Sequence, residues 1–303
     1  MRTGNILAIG TPYASSDTGI VQVFEFINNA WVQIGENLVG QGPNEQFGFS
    51  ISLNGMGNIL AVSAPEHEVD NSGYVKVYEC VDNNWNQLGS TFEGEFAWDN
   101  LGRSIDLNFD GNILAIGSPY TDENGNYSGN VTIYSYNNSN WYEIGNIIGN
   151  GADERCGSSV SLNNQGDIIA VGSIGVGTVR VYENDTNNWL QVGSELSQEF
   201  NNDDFGSSIS MNGSGLRLLI GAHNNDNNGT NAGNVSLFEF LDNQWIQLGS
   251  SINGVLIDDN FGKSVALNNE GNVLVVGADF NDDNGDAAGH VRVFDIQSPC
   301  EEE

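Results

Sequence analysis

Short runs with a strand-like pattern of apolar and polar positions recur along the whole chain, four to a unit and always in the same order. Residues 47–89 hold one complete unit: FGFSISLN (47–54), GNILAVSA (57–64), YVKVYEC (74–80) and WNQLG (85–89). The third run alternates, with Val75, Val77 and Glu79 set against Lys76 and Tyr78, as a pleated surface requires. The second run is apolar at consecutive positions (Ile6, Leu7, Ala8 and Ile9 in its first copy), which suits a strand covered on both faces. Each run is too short for a typical helix. First runs begin at residues 47, 101, 156, 205 and 261, and an additional copy lacking its first run opens the chain at Gly4. A tryptophan marks the fourth run at Trp31, Trp85, Trp141, Trp189 and Trp245, while Trp98 stands outside that series.

The connections divide into two kinds. Runs one and two are joined by short Asn/Gly turns at 54–57, 108–111, 163–166, 212–215 and 268–271, and runs three and four by equally short turns. The two-to-three and four-to-one connections are longer and differ from copy to copy. Four-stranded antiparallel units repeating about every 50 residues predict an all-β, six-bladed β-propeller in a single domain. The blades are 4–46, 47–100, 101–155, 156–204, 205–260 and 261–295, followed by a tail at 296–303. The first run of the first blade and the fourth run of the last have no candidate, so 22 strands of an ideal 24 are expected. Closure of the ring is therefore imperfect or completed by sequence not present, with an open solenoid of the same units as the alternative.

Composition narrows the partners. The 303 residues carry 40 acidic and 8 basic side chains, a formal charge of −32, which disfavours nucleic acid and an anionic membrane surface as partners. The hydrophobic fraction of 39% is sufficient for a folded core. Cys80, Cys156 and Cys300 show no metal-type spacing and no disulfide framework. No apolar run approaches a membrane span, which argues against membrane insertion, and the opening residues read as a strand hairpin, not a signal peptide. Because Met1 falls inside a repeat, the chain is expected to be a piece or processed form of something longer.

With Phe47-Gly48, Phe205-Gly206 and Phe261-Gly262 opening their first runs, the repeats resemble the FG-GAP family, the repeats of integrin α-subunit propellers and of many bacterial and algal surface proteins. The resemblance rests on those pairs, with Leu101-Gly102 and Cys156-Gly157 as degenerate forms. It also rests on Ser63-Ala64-Pro65, Gly117-Ser118-Pro119, Gly10-Thr11-Pro12, Gly221-Ala222-His223 and Gly277-Ala278-Asp279. It implies extracellular or cell-surface display, adhesion and binding of a protein or glycan ligand, on a fold that hosts many functions. The calcium loop of integrin-type blades is approached only by Asp106, Asn108, Asp110 and Gly111, with Leu114 at its ninth position.

Alternating strand direction places all the long, variable loops on one face of the disc, together with much of the acid. Within that face, Trp98 and Phe96 of the loop FEGEFAWDN, with Tyr120 and Tyr127 from the next blade, form the candidate binding group. Three loops, 122–129, 224–233 and 281–289, offer several oxygens around a Gly turn, making Asp122, Asp226, Asp282, Asp283 and Asp286 candidate calcium ligands. Turn formation alone also explains these Asp and Asn residues. The fourth blade's loop GSIGVGT is short and uncharged, leaving a gap in the acidic rim. The fourth-run tryptophans read as blade packing, and His67, His223 and His290 as exposed polar side chains. No nucleophile elbow, zinc-protease motif or phosphate loop occurs. The expected function is non-enzymatic recognition, with a spacer domain or a carboxylate-based glycosidase as alternatives.

Overall fold

The computed structural model describes residues 4–67, 71–186, 188–198 and 203–296. Glu68, Asp70 and Cys300 lie outside the described residues. Six antiparallel sheets follow one another along the chain as the blades of a six-bladed β-propeller. In the second blade the strands Ile51–Leu53, Ile59–Ala64, Tyr74–Val81 and Asn84–Gln87 lie in that order from inner to outer edge. The outer strand then resumes at Phe92–Glu93 and pairs again with Tyr74–Val81. In the third blade it runs unbroken as Asn140–Ile148, with a bulge opposite Ile133 and Tyr134. With each interrupted outer strand taken as one, the described residues hold the 22 strands expected. The first blade has Ile6–Thr11 at its inner edge, and the sixth ends on His290–Asp295.

Turn chemistry sets the blades' short ends. At the one-to-two turn, the Asn54 side chain accepts the N–H groups of Asn58 and Ile59, both at 3.0 Å, and Asn108 and Asn268 do the same in their blades. These turns also join one another, since the amide of Gly55 donates to Phe109, Phe109 to Asn164, Asn164 to Gly213 and Gly213 to Asn269. The three-to-four turns put both central residues at positive φ, as at Asn28 and Asn29 or Asp242 and Asn243, the primed geometry that matches strand twist.

Among the described residues the apolar core is divided into five slabs, one between each pair of successive blades. This is why the second run is continuously apolar: Leu60, Val62 and Ala64 enter the slab shared with the first blade, and Ala61 the slab shared with the third. The FG glycines make the slabs possible. Gly48, Gly102, Gly157, Gly206 and Gly262 all adopt φ between +86° and +95°, and a Cβ on Gly48 would lie 2.7 Å from Val21 of the preceding blade. Inner strands are joined by side chains as well, because Leu107, Met211 and Leu267 donate their amides to Ser52, Ser161 and Ser210 of the preceding blade. Asp106 replaces serine in this series, accepting from Leu162 N–H and from the Ser52 hydroxyl at 2.8 Å each. The residue that begins the calcium-like sequence at 106–114 is thus engaged in joining blades.

The fourth-run tryptophans of the second to fifth blades pack as read from the sequence, whereas Trp31 of the first blade, with no preceding blade to lie against, is exposed. Trp85, Trp141 and Trp245 each donate the indole N–H to a backbone carbonyl of the preceding blade, at 3.1–3.2 Å. Each also lies against a glycine of that blade: Gly35, Gly89 and Gly193 respectively.

Candidate functional site: a cleft between the second and third blades

The long loops of the second and third blades enclose a cleft of about 730 Å³ on the variable face. Its lining brings together Phe96 and Trp98 from one blade with Tyr120, Asp122 and Tyr127 from the next. Tyr120 and Tyr127 meet edge to face at 5.6 Å, and the Arg155 guanidinium sits 5.9 Å from the Tyr120 ring. Phe96 and Trp98 are 63% and 59% exposed, so neither side chain is part of a slab.

The backbone at Trp98 is the decisive feature. It lies at φ +72°, and the equivalent positions in other blades, Asn44, Asp153 and Asp258, also take left-handed φ of 61–63°. Asn and Asp tolerate that region, whereas a large aromatic side chain pays a conformational penalty of about 1–2 kcal/mol there. Trp98 therefore contributes neither burial nor favourable backbone geometry to the fold. Bulky residues held in this way cluster at binding and catalytic sites.

Acidic side chains in the loops turn out to be of two kinds. The residue two before each FG position is a buried carboxylate: Glu45, Asp99, Glu154, Asp203 and Asp259. Each ties its loop together. Glu45 accepts Gln41 N–H at 2.7 Å and the Tyr74 hydroxyl at 3.1 Å, and Asp259 accepts Leu256 N–H at 3.0 Å and the Asn281 amide at 2.9 Å. Glu154 forms a buried ion pair with Arg180. Of these, Asp99, Glu154, Asp203 and Asp259 were expected on the ligand-facing rim, but all are internal to the loops. The rim acid at the cleft comes instead from Glu93, Glu95, Asp122, Glu123 and Glu143. Its field is felt by Asp99, whose carboxyl is pushed up by burial, with Asp122, Glu95 and Glu123 adding to the rise and the Phe96 N–H opposing it.

The candidate calcium residues do not converge. Asp122, Asp226 and Asp282 lie in three different blades, and each accepts the amide five residues on, from Tyr127, Asn231 and Ala287 at 2.7–2.8 Å. Asp283 and Asp286 are exposed in the last loop, with Asp283 3.9 Å from His290. Among the described residues, no group of three or more His, Cys, Asp or Glu is arranged to hold a metal ion.

His223 is buried, against the expectation of an exposed side chain. Its Nδ1 lies 2.8 Å from the Ser207 hydroxyl, while its Nε2 accepts from the Lys263 ammonium at 3.1 Å, with Asp204 at 3.6 Å. Serine, histidine and aspartate are thus grouped, but in the wrong protonic arrangement for nucleophile activation. With Nε2 occupied by an N–H donor, Nδ1 carries the proton and donates to Ser207 instead of withdrawing its proton. Burial, reinforced by the Lys263 charge, lowers the histidine to about 4.

A family model for the FG-GAP repeat matches residues 199–238 and 255–294, which span most of the fifth and sixth blades. The same strand order and left-handed FG glycine recur in the second, third and fourth blades. The chain is an FG-GAP-repeat β-propeller. A search of curated proteins returned no match. No helix among the described residues of this FG-GAP propeller is long and apolar enough to cross a membrane. Such a fold is consistent with a binding or structural module.

Proposed function

We propose that this FG-GAP propeller is a non-enzymatic extracellular recognition module that binds a protein or glycan ligand in the cleft between its second and third blades. The observation that carries the reading is Trp98: exposed, held at left-handed φ and placed where the repeat otherwise uses Asn or Asp. Phe96, Tyr120 and Tyr127 supply further aromatic surface beside it, suited to stacking on a sugar ring or a partner side chain. The surrounding carboxylates accept hydrogen bonds from hydroxyl or N–H donors and repel anionic ligands. The test is ligand capture on glycan and protein arrays, with and without calcium, by the native chain and by Trp98→Ala. Capture by the native chain that is lost in Trp98→Ala, with an unchanged melting temperature or a raised one, supports the reading. Capture that survives the substitution assigns the ligand to another surface, and no capture by either protein favours a spacer domain.

A further inference from the structure

Five blade junctions repeat one construction, and the two ends of the array display its halves uncovered. At each junction the FG glycine of one blade lies on a third-strand valine of the blade before. A Cβ on Gly48, Gly102, Gly157, Gly206 or Gly262 would fall 2.7–3.1 Å from Val21, Val75, Val131, Val179 or Val235 respectively. All five valines are at most 1% exposed. Val291 holds the same place in the sixth blade and is 66% exposed, with Val293 beside it at 65%. At the other end, Leu7 and Ile9 are exposed, whereas Leu60 and Val62, their equivalents in the second blade, are fully buried. Ile6–Thr11 is also the only second strand among the described residues without a first strand on its inner edge. A hollow of about 380 Å³ lies there, lined by Ile6, residues 51–55 and Asp106 among others.

We infer that the propeller takes up one further β-strand, bearing its own first-run pattern F-G-x-S-x-S-L with the second serine at the place of Ser52, along the inner edge of Ile6–Thr11. One strand answers both deficits, because in every junction the first run pairs with its own blade's second strand and rests its glycine on the preceding blade's valine. The second blade fixes the register: Ile51, Ser52 and Leu53 stand opposite Val62, Ala61 and Leu60. By that register the incoming leucine faces Leu7, the second serine faces Ala8, and the glycine covers Val291. The serine accepts the Leu53 amide as Ser52 accepts that of Leu107, at 3.0 Å. Only the bond at Ala266 is forgone, where alanine replaces the Ser or Asp of the other blades. A second copy of the chain does not supply this strand, since its first strands are all paired within their own sheets. The free backbone edge selects an extended partner, the exposed valine selects glycine in it, and continuity with the five existing junctions selects the flanking apolar residues.

The experiment titrates a labelled peptide of the sequence FGFSISLN into the full chain and reads fluorescence polarisation, with a scrambled peptide as control. Saturable binding is expected, together with a rise in the protein's melting temperature. Replacing the peptide's glycine with valine, or using the Val291→Asp or Ile9→Lys protein, is expected to weaken binding by about tenfold or more. Both substituted residues are exposed, and circular dichroism verifies that the variants remain folded. No saturable uptake of the native peptide, or uptake indifferent to all three changes, overturns the inference. Self-association in sedimentation that Val291→Asp abolishes, without peptide uptake, also overturns it and assigns the faces to a second copy.

Discussion

Trp98 and His223 show how single residues depart from a repeated template. Asn44, Asp153 and Asp258 occupy the backbone position of Trp98 without strain, so Trp98→Asn is expected to leave the fold intact and raise its stability by up to about 1 kcal/mol, measured by denaturant unfolding. A loss of more than 1 kcal/mol would show that the indole supports its loop. For His223 the sign follows from its lowered value of about 4 against the ordinary 6.5. The folded state binds the proton less tightly, so the histidine's contribution is fully present above pH 6.5 and is lost as pH falls towards 4. Native protein should therefore lose about 2–3 kcal/mol relative to His223→Gln between pH 7 and pH 4 in paired unfolding titrations. Parallel curves would place the imidazole in water. Trp98 was legible in the sequence because it broke the tryptophan period. The burial of Glu45, Asp99, Glu154, Asp203 and Asp259 was not, since an acid before an FG pair reads like any other acid in a polar loop.

At the scale of strands and turns, packing between blades dominates, and glycines report it. Gly193 and Gly249 are equivalent, with φ of +73° and +71°, but a Cβ on Gly193 would meet Trp245 at 2.7 Å while one on Gly249 meets nothing within 4 Å. Both Gly→Ala changes incur the left-handed penalty, of order 1–2 kcal/mol. Gly193→Ala should cost about 1–3 kcal/mol more, through overpacking against the indole. Thermal unfolding of the two variants tests this, and equal losses would contradict the packing. The strands themselves were legible because four periodic runs recurred in fixed order between turn residues. Their linkages across blades were not, because the repeat aligns Ser52 with Asp106 but does not show that each accepts a backbone amide from the next blade.

The whole molecule carries a charge of −32, and its folded form confines that charge. Raising the salt from about 0.02 M to 0.5 M should therefore raise the melting temperature by several degrees, as screening relieves self-repulsion. Burial raises Asp99, Asp203 and Asp204, so their contribution to stability grows as pH falls towards the ordinary carboxyl value, opposite in sign to that of His223. The two missing strands were legible from the first and last repeats, and the exposed Leu7, Ile9, Val291 and Val293 mark the uncovered faces of the two terminal blades. The variable face was legible from strand alternation alone. The cleft was not, because its shape depends on loops from two blades meeting around Trp98 and Tyr120. The most direct test of the account compares the array-binding profiles of native protein and Trp98→Ala under identical conditions. The account predicts a defined set of ligands held by the native protein and absent from the variant's profile. Superimposable profiles would contradict it.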